Sequence, residues 1–175
     1  MRNLFTTAIL VMSVSVSAQT QSPRWKIEKK FNETNFNAVA FSDSIKGFAA
    51  GWEFDKDLGS FINPSIKYTV DKGKSWKDAT VDNLNMMPMN AAKAKGDTMV
   101  IAGIENNEDG IFSVSYDAGK SWKSQAMPED LYSTYFLNGR EGFVCGKKGY
   151  LAYTKNSGLN WAVIPISTKD DLFSI

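Results

Sequence analysis

One eight-residue pattern occurs three times in this chain and constrains the fold more than any other feature. The pattern is S/T-x-D/N-x-G-x-x-W, and its copies, here called the first, second and third motif turns, are residues 69–76, 115–122 and 154–161. The closing tryptophans, Trp76, Trp122 and Trp161, follow one another at intervals of 46 and 39 residues. A repeat at this period predicts three copies of one supersecondary unit.

The residue types of the motif predict a tight turn between two strands. An Asp carboxylate accepts hydrogen bonds from backbone N–H groups one or two residues further on, Gly permits a positive φ, and Trp covers the turn. In the third turn Asn156 replaces Asp, and its amide oxygen is also an acceptor. Nothing in the motif supplies a base, a nucleophile or a metal cage. We therefore expect a structural role for the motif residues, which are Thr69, Asp71, Gly73, Trp76, Ser115, Asp117, Gly119, Trp122, Thr154, Asn156, Gly158 and Trp161.

Strand patterns surround each motif turn. Three apolar segments that end in Gly, at 47–51, 99–103 and 142–146, align in the repeats, and such continuous runs are typical of strands buried on both faces. An alternating strand follows each segment and leads into the motif turn, and a further candidate strand precedes each segment. Each repeat therefore predicts four strands, with the motif turn between the third and the fourth.

The motif resembles the Asp-box, or BNR repeat, of β-propellers that include sialidases, sortilin-like receptors and photosystem II stability/assembly-factor-like proteins. Residues 41–51, with the spacing F-x-D/S-x-x-x-G-F-x-x-G, followed by Gly-Lys-Ser-Trp, are most similar to the photosystem II stability/assembly-factor-like repeat. The resemblance implies an all-β propeller of four-stranded antiparallel blades, with three blades at about 36–80, 90–125 and 133–166. It also implies a scaffold that binds protein or glycan without catalysis, with the motif turns remote from any catalytic face.

The two ends of the mature chain, 19–175, suggest incomplete blades. Residues 24–31 have the pattern of the outer strand of a closing blade, and residues 171–175 that of the inner strand of the next blade. Closed propellers have about four to eight blades, so we expect these residues to be a fragment of a larger propeller. If the chain is complete, self-association through exposed blade edges is the alternative.

Residues 1–18 have the features of a secretory signal peptide. Arg2 provides a positive start, residues 4–16 are uncharged, and Val16-Ser17-Ala18 forms a small-residue cleavage site. The apolar run is too short for a membrane span, so none is expected after signal removal. We expect export to a bacterial periplasm or beyond.

Composition excludes several classes of function. The chain has no histidine and a net charge of +1, which argues against nucleic-acid binding, catalysis by His and metal binding by His. Cys145 is the only cysteine, so neither an internal disulfide nor a cysteine zinc site is expected. No cofactor and no metal are therefore predicted.

The up-and-down order of strands assigns the connections to two faces. The motif turns share one face, here called the motif face, with the short links between first and second strands. The opposite face, the loop face, receives segments predicted as long loops: 53–63, 80–89, 105–109 and 125–133. Ligands bind preferentially at such loops. The candidate ligand-binding residues are aromatic, acidic and methionine side chains on that face, with Trp52 expected to be exposed: Trp52, Phe54, Asp55, Asp57, Met87, Glu105 and Tyr132.

These residue types leave the ligand open. Aromatic rings beside carboxylates suit a sugar, methionines with aromatic rings suit an adaptable protein partner, and packing beneath the loops is the alternative for any one of them. The sialidase resemblance implies three substrate-clamping arginines, a Tyr nucleophile assisted by Glu, and an Asp acid/base. Only Arg24 and Arg140 follow the signal, and Arg140 lies on the motif face. No catalytic residue is therefore predicted, and the alternative is a fragment of a sialidase-like glycoside hydrolase whose catalytic residues lie largely elsewhere.

Overall fold

The structure, a computed structural model, describes residues 30–31, 33–82, 86–105 and 109–175. The predicted signal peptide and most of the predicted outer strand 24–31 lie outside these residues. The described residues form thirteen strands and one 3₁₀ turn, Lys147–Gly149, and none of them belongs to a helix that could cross a membrane. The strands are β1 (Thr34–Phe41), β2 (Gly47–Asp55), β3 (Ser60–Thr69), β4 (Lys77–Asp78), β5 (Thr80–Asp82), β6 (Met86–Lys95), β7 (Thr98–Glu105), β8 (Gly110–Ser115), β9 (Ser121–Met127), β10 (Leu131–Phe136), β11 (Gly142–Gly146), β12 (Leu151–Thr154) and β13 (Ala162–Val163).

These strands form three sheets, which we call blades 1, 2 and 3. Their orders are β1-β2-β3-β4, β5-β9-β8-β7-β6 and β10-β11-β12-β13, with sequential neighbours antiparallel. The predicted all-β class with antiparallel blades is confirmed. Blade 2 has one strand more than the four predicted, because β5 pairs in parallel with β9. After blade 1 the chain runs along the outer edge of blade 2, where Thr80 N donates to Lys120 O at 2.9 Å and satisfies an open strand edge.

Blade 2 is packed between the other two blades, which explains its continuous apolar run. Met99 and Ile101 of β7 belong to one core with Phe48 of blade 1, and the alternate residues Val100 and Ala102 belong to a second core with blade 3. Successive strand residues point to opposite faces, so both faces of β7 are buried. The prediction of strands buried on both faces is confirmed here.

The motif tryptophans add a contact to the preceding blade. The Trp122 ring centroid lies 4.8 Å from that of Phe48 in blade 1, and Trp161 lies 4.9 Å from Phe112 in blade 2. Trp122 is 1% exposed, whereas Trp76 of blade 1 is only half-buried. The tryptophans of the second and third motif turns therefore stabilise the contact between neighbouring blades as well as the turns.

The end of the chain does not form a strand. Residues 164–175 have no strand assignment, although Leu172 N donates to Gly146 O at 2.9 Å in blade 3. The interpretation of 171–175 as the first strand of a further blade stays a prediction, as do the predicted blade limits.

Trp122→Ala is expected to lower the free energy of unfolding by about 3–5 kcal/mol, because it removes a fully buried aromatic side chain. Urea denaturation followed by circular dichroism measures the loss. Trp76→Ala is the matched control, and its smaller burial should make its cost smaller. Equal stability of wild type and Trp122→Ala would contradict the packing described here.

Candidate functional site

The motif turns are closed by side chains that bond to the backbone within the motif. In the second turn Ser115 Oγ donates to Asp117 Oδ1 at 2.8 Å and accepts from Gly119 N at 2.9 Å. Asp117 Oδ1 also accepts from Ser121 N at 2.9 Å, and Asp117 Oδ2 accepts from Ser121 Oγ at 2.7 Å. The first turn repeats these bonds, and the third keeps the backbone bond through Asn156 Oδ1, which accepts from Asn160 N at 3.0 Å.

The carboxylate reaches further along the chain than expected. Its backbone donor is four residues on, and the predicted spacing of one or two residues is wrong. The reason is a pair of consecutive positive φ angles, 60° at Ala118 and 85° at Gly119, which curl the chain around the carboxylate. These bonds occupy the carboxylate within the turn, which favours the predicted structural role over a catalytic one.

The same hydrogen bonds change the acidity of the motif aspartates. The Ser75 hydroxyl and backbone N–H lower the pKa of Asp71 to about 2. Burial opposes the shift at Asp117, but hydrogen bonds from Ser121 and Ser115 still lower its pKa. Because the folded-state pKa lies below the unfolded value of about 3.9, each carboxylate stabilises the fold above about pH 4. That stabilisation is lost as the pH falls through the folded-state pKa.

Asp71→Asn is expected to flatten the acid sensitivity of the protein between about pH 4 and pH 2. The third turn shows that an Asn amide keeps the backbone bond, and the amide does not titrate. Urea midpoints measured across this pH range for wild type and variant test this, with Asp109→Asn as the control for the loss of one exposed charge. Equal slopes for wild type and Asp71→Asn would contradict it.

The loop face is formed mainly by strand ends and short turns. β2 continues to Asp55 and β3 begins at Ser60, so residues 56–59 form a short hairpin turn where a loop at 53–63 was predicted. Asp55 Oδ1 accepts the backbone N–H groups of Asp57 and Leu58 at 2.9 and 3.0 Å, and Gly59 has a φ of 63°. The predictions of loops at 53–63, 80–89 and 125–133 are wrong for the same reason: strands extend into all three segments. Residues 106–108 lie outside the described residues.

The blades differ in how far they extend on this face. The second and third strands pair over nine residues in blade 1, six in blade 2 and four in blade 3. At about 3.3 Å per residue, the difference of five residues corresponds to about 16 Å of additional strand in blade 1. The loop face therefore descends from a tall hairpin on blade 1, with residues 54–59 here called the hairpin tip, to a low surface on blade 3.

The structure brings only some of the predicted site residues together. Phe54, Asp55 and Asp57 lie at the hairpin tip, where Phe54 is 36% exposed, whereas Tyr132 lies on β10 in blade 3. Met87 and Glu105 belong to β6 and β7, and their side chains lie outside the described part of the structure.

The prediction that Trp52 is exposed is wrong. Its side chain is 6% exposed, because β2 continues past Gly51. Trp52 therefore lies on the same face of the strand as the buried residues Phe48 and Ala50. Trp52 therefore supports the base of the hairpin and is not an accessible ligand contact.

Sequence reasoning missed several residues of the loop face. Leu58 at the hairpin tip is 69% exposed, and Phe173 near the chain end is 72% exposed. On blade 3 the buried carboxylate of Asp130 lies 3.2 Å from Lys147 Nζ through Oδ2, while Lys148 pairs with Glu129 at 3.1 Å. The two lysines could have been assigned to the loop face from the sequence, because Lys147-Lys148-Gly149 connects the second and third strands of the third repeat. Among the described residues, no three His, Cys, Asp or Glu side chains are arranged to hold a metal ion.

Comparison with known proteins places this fold in context. No protein-family profile matches the chain. Over 60 residues it is 33% identical to the photosystem II stability/assembly factor HCF136, chloroplastic, of Arabidopsis thaliana. This match covers 30% of this chain and 15% of that protein. Among solved structures it is similar to YCF48 from Cyanidioschyzon merolae, with a TM-score of 0.58, 19% identity, and coverage of 78% of this chain and 41% of that one. The fold is that of a β-propeller.

Two further solved structures agree with this propeller fold. YCF48 bound to D1 peptide matches with a TM-score of 0.57 and 19% identity, over 78% of this chain and 42% of that one. The GH74 xyloglucanase from Xanthomonas campestris matches with a TM-score of 0.52 and 12% identity, over 77% of this chain and 24% of that one. The resemblance to photosystem II assembly-factor-like propellers is confirmed. The chain spans less than half the length of these solved propellers and about a seventh of the curated relative.

Trp52→Ala is expected to destabilise the propeller by about 3–5 kcal/mol, because the removed indole is buried. Urea denaturation measures this cost. Phe54→Ala, two residues further along and partly exposed, is the control and should cost less. A Trp52→Ala variant as stable as wild type would restore the earlier expectation of an exposed indole.

Proposed function

We propose that this chain is part of an exported, non-catalytic β-propeller that binds a protein partner through its loop face. The observation that carries the proposal is the hairpin tip, which holds the apolar side chains of Leu58 and Phe54 exposed beside Asp55 and Asp57. Exposed apolar groups with a polar border are typical of protein-binding surfaces. The likeness to YCF48, which has been solved with a bound peptide, supports a protein ligand over other classes.

The hairpin tip is held in place by contacts with Glu33, the residue before β1, and by its own turn. Phe54 N donates to Glu33 O at 2.8 Å, Lys56 Nζ lies 2.9 Å from Glu33 Oε1, and Asp55 caps the turn. The exposed Lys56–Glu33 pair contributes little to stability, but the backbone bond fixes the direction of the tip. A surface that is already ordered loses less conformational entropy on binding.

A glycoside hydrolase fragment is less well supported by the described residues. Hydrolysis needs two carboxyl groups placed on either side of a glycosidic bond. At the hairpin tip, Asp55 Oδ1 already accepts two backbone N–H groups and so serves the turn. The xyloglucanase likeness concerns the fold alone, and a glycan ligand is therefore tested as an alternative outcome.

Leu58→Asp is expected to weaken binding of the native partner about 5- to 30-fold, which corresponds to the loss of about 1–2 kcal/mol at one interface anchor. Immobilised wild type and variant are compared for the proteins they retain from the extracytoplasmic fraction of the source organism, measured by quantitative mass spectrometry. The control is Leu159→Asp on the motif face, where the side chain is 60% exposed and lies at a turn.

The comparison distinguishes three results. A protein retained by wild type and Leu159→Asp but lost from Leu58→Asp supports the proposal. Equal retention by all three forms would overturn the role of the hairpin tip. Binding to an oligosaccharide panel that is lost in Leu58→Asp, with no protein dependent on Leu58, would replace the protein partner by a glycan.

A further inference from the structure

The hairpin tip combines an exposed apolar side chain with a carboxylate that has no ion pair. Leu58 is 69% exposed, and the neighbouring Asp57 is exposed as well. The lysine of the tip, Lys56, lies 2.9 Å from Glu33 and so compensates a different carboxylate. Among the described residues, no cation pairs with Asp57. The tip therefore presents an apolar surface with a negatively charged border.

The height of the tip comes from strand pairing within the described blades. β2 and β3 pair over nine residues, whereas β7 and β8 of the neighbouring blade 2 pair over six. At about 3.3 Å per residue, the tip stands about 10 Å above the corresponding turn of blade 2. Leu58 therefore rises above blade 2 and is not covered by it.

Blade 2 has a second unpaired carboxylate at its own turn. Ile104 pairs with Gly110 across β7 and β8, so Asp109 lies in the turn that corresponds to the hairpin tip of blade 1. Asp109 is exposed, and no cation pairs with it in the part of the chain that the structure describes. The step from the tip down to blade 2 therefore has a carboxylate at its upper level and another at its lower level.

The corresponding turn of blade 3 does not add to this negative charge. It contains Lys147 and Lys148, which lie 3.2 Å from Asp130 and 3.1 Å from Glu129. Opposite charges this close together largely cancel each other's potential at a distance. The uncompensated negative charge of the described loop face is thus found on blades 1 and 2, beside the exposed apolar tip.

The motif face has the opposite charge. Basic side chains outnumber acidic ones on its turns, and the exposed ones include Lys72, Lys74, Lys120, Arg140 and Lys155. Two of the acidic side chains are engaged locally, because Asp117 accepts hydrogen bonds within its turn and Asp97 pairs with Lys46. A cationic ligand is therefore attracted by the loop face and repelled by the motif face, which orients it before contact.

We propose that the hairpin tip recognises a basic, apolar segment of a partner protein. An aliphatic or aromatic side chain of the segment packs on Leu58 and Phe54, and flanking Lys or Arg side chains face Asp57 on blade 1 and Asp109 on blade 2. The inference rests on the proposed function and names the chemistry of the partner. The apolar contact supplies most of the affinity, because exposed ion pairs contribute little. The carboxylates accelerate association and exclude acidic partners.

The first test selects peptides from a phage-displayed random library on the full, immobilised chain. Phage that also bind Leu58→Asn are removed, because this variant lacks the apolar anchor but keeps the net charge. Among the remaining peptides, Lys and Arg should be enriched over the unselected library beside an aliphatic or aromatic residue. Peptides that depend on Leu58 but lack this enrichment would overturn the inference and leave the tip as a docking site. A selection without any Leu58-dependent peptide would count against the proposed function itself.

The second test measures the affinity of an enriched peptide for charge variants by fluorescence anisotropy. Asp57→Lys should weaken binding about five- to tenfold, because it replaces an attraction by a repulsion. Asp109→Lys should weaken binding in the same way. Asp82→Lys is the matched control, since it makes the same charge change at an exposed aspartate of β5 on the outer edge of blade 2, and it should bind as wild type does.

Ionic strength provides an independent readout. Raising it from about 0.1 M to 1 M shortens the screening length from about 10 Å to 3 Å, so wild-type affinity for the peptide should fall towards that of Asp57→Lys. Equal affinities of Asp57→Lys and Asp82→Lys, or an affinity of wild type that does not change with salt, would overturn the inference.

Discussion

The contact of the second and third motif turns with the preceding blade is the interaction on which the rest of this structure depends. In the second turn Gly119 lies so close to blade 1 that an added Cβ would be 3.1 Å from Tyr68 Cβ. In the third turn an added Cβ at Gly158 would be 2.3 Å from the Phe112 ring. In the second and third turns glycine is therefore required by the close packing as well as by its positive φ, and one short motif fixes both the hairpin and its contact with the neighbouring blade.

The sequence allowed the blades to be predicted because their determinants are local. Burial on both faces gives a continuous apolar strand, and the motif marks the turn between third and fourth strands. The strand ends on the loop face were missed because Asp, Gly, Asn and Pro between 55 and 64 indicate a loop. Pro64 pairs with Trp52 on one side of β3, while β4 reaches only as far as Lys67 on the other side. A proline is tolerated at such an open edge, since no ladder N–H is lost there.

The residue types of the candidate site could be predicted from the sequence, but how far each blade extends on the loop face could not. Phe54, Asp55 and Asp57 were found because aromatic and acidic residues cluster near a turn, and they share the hairpin tip. Tyr132 was assigned to the same surface, yet it lies on blade 3, where the paired strands are shorter by five residues. Lys148 and Leu172 make their contacts on blade 3 through backbone N–H groups, and residue type does not reveal such contacts. The blades extend to different distances on the loop face because their hairpins differ in length, and hairpin length depends on strand pairing that only the structure shows.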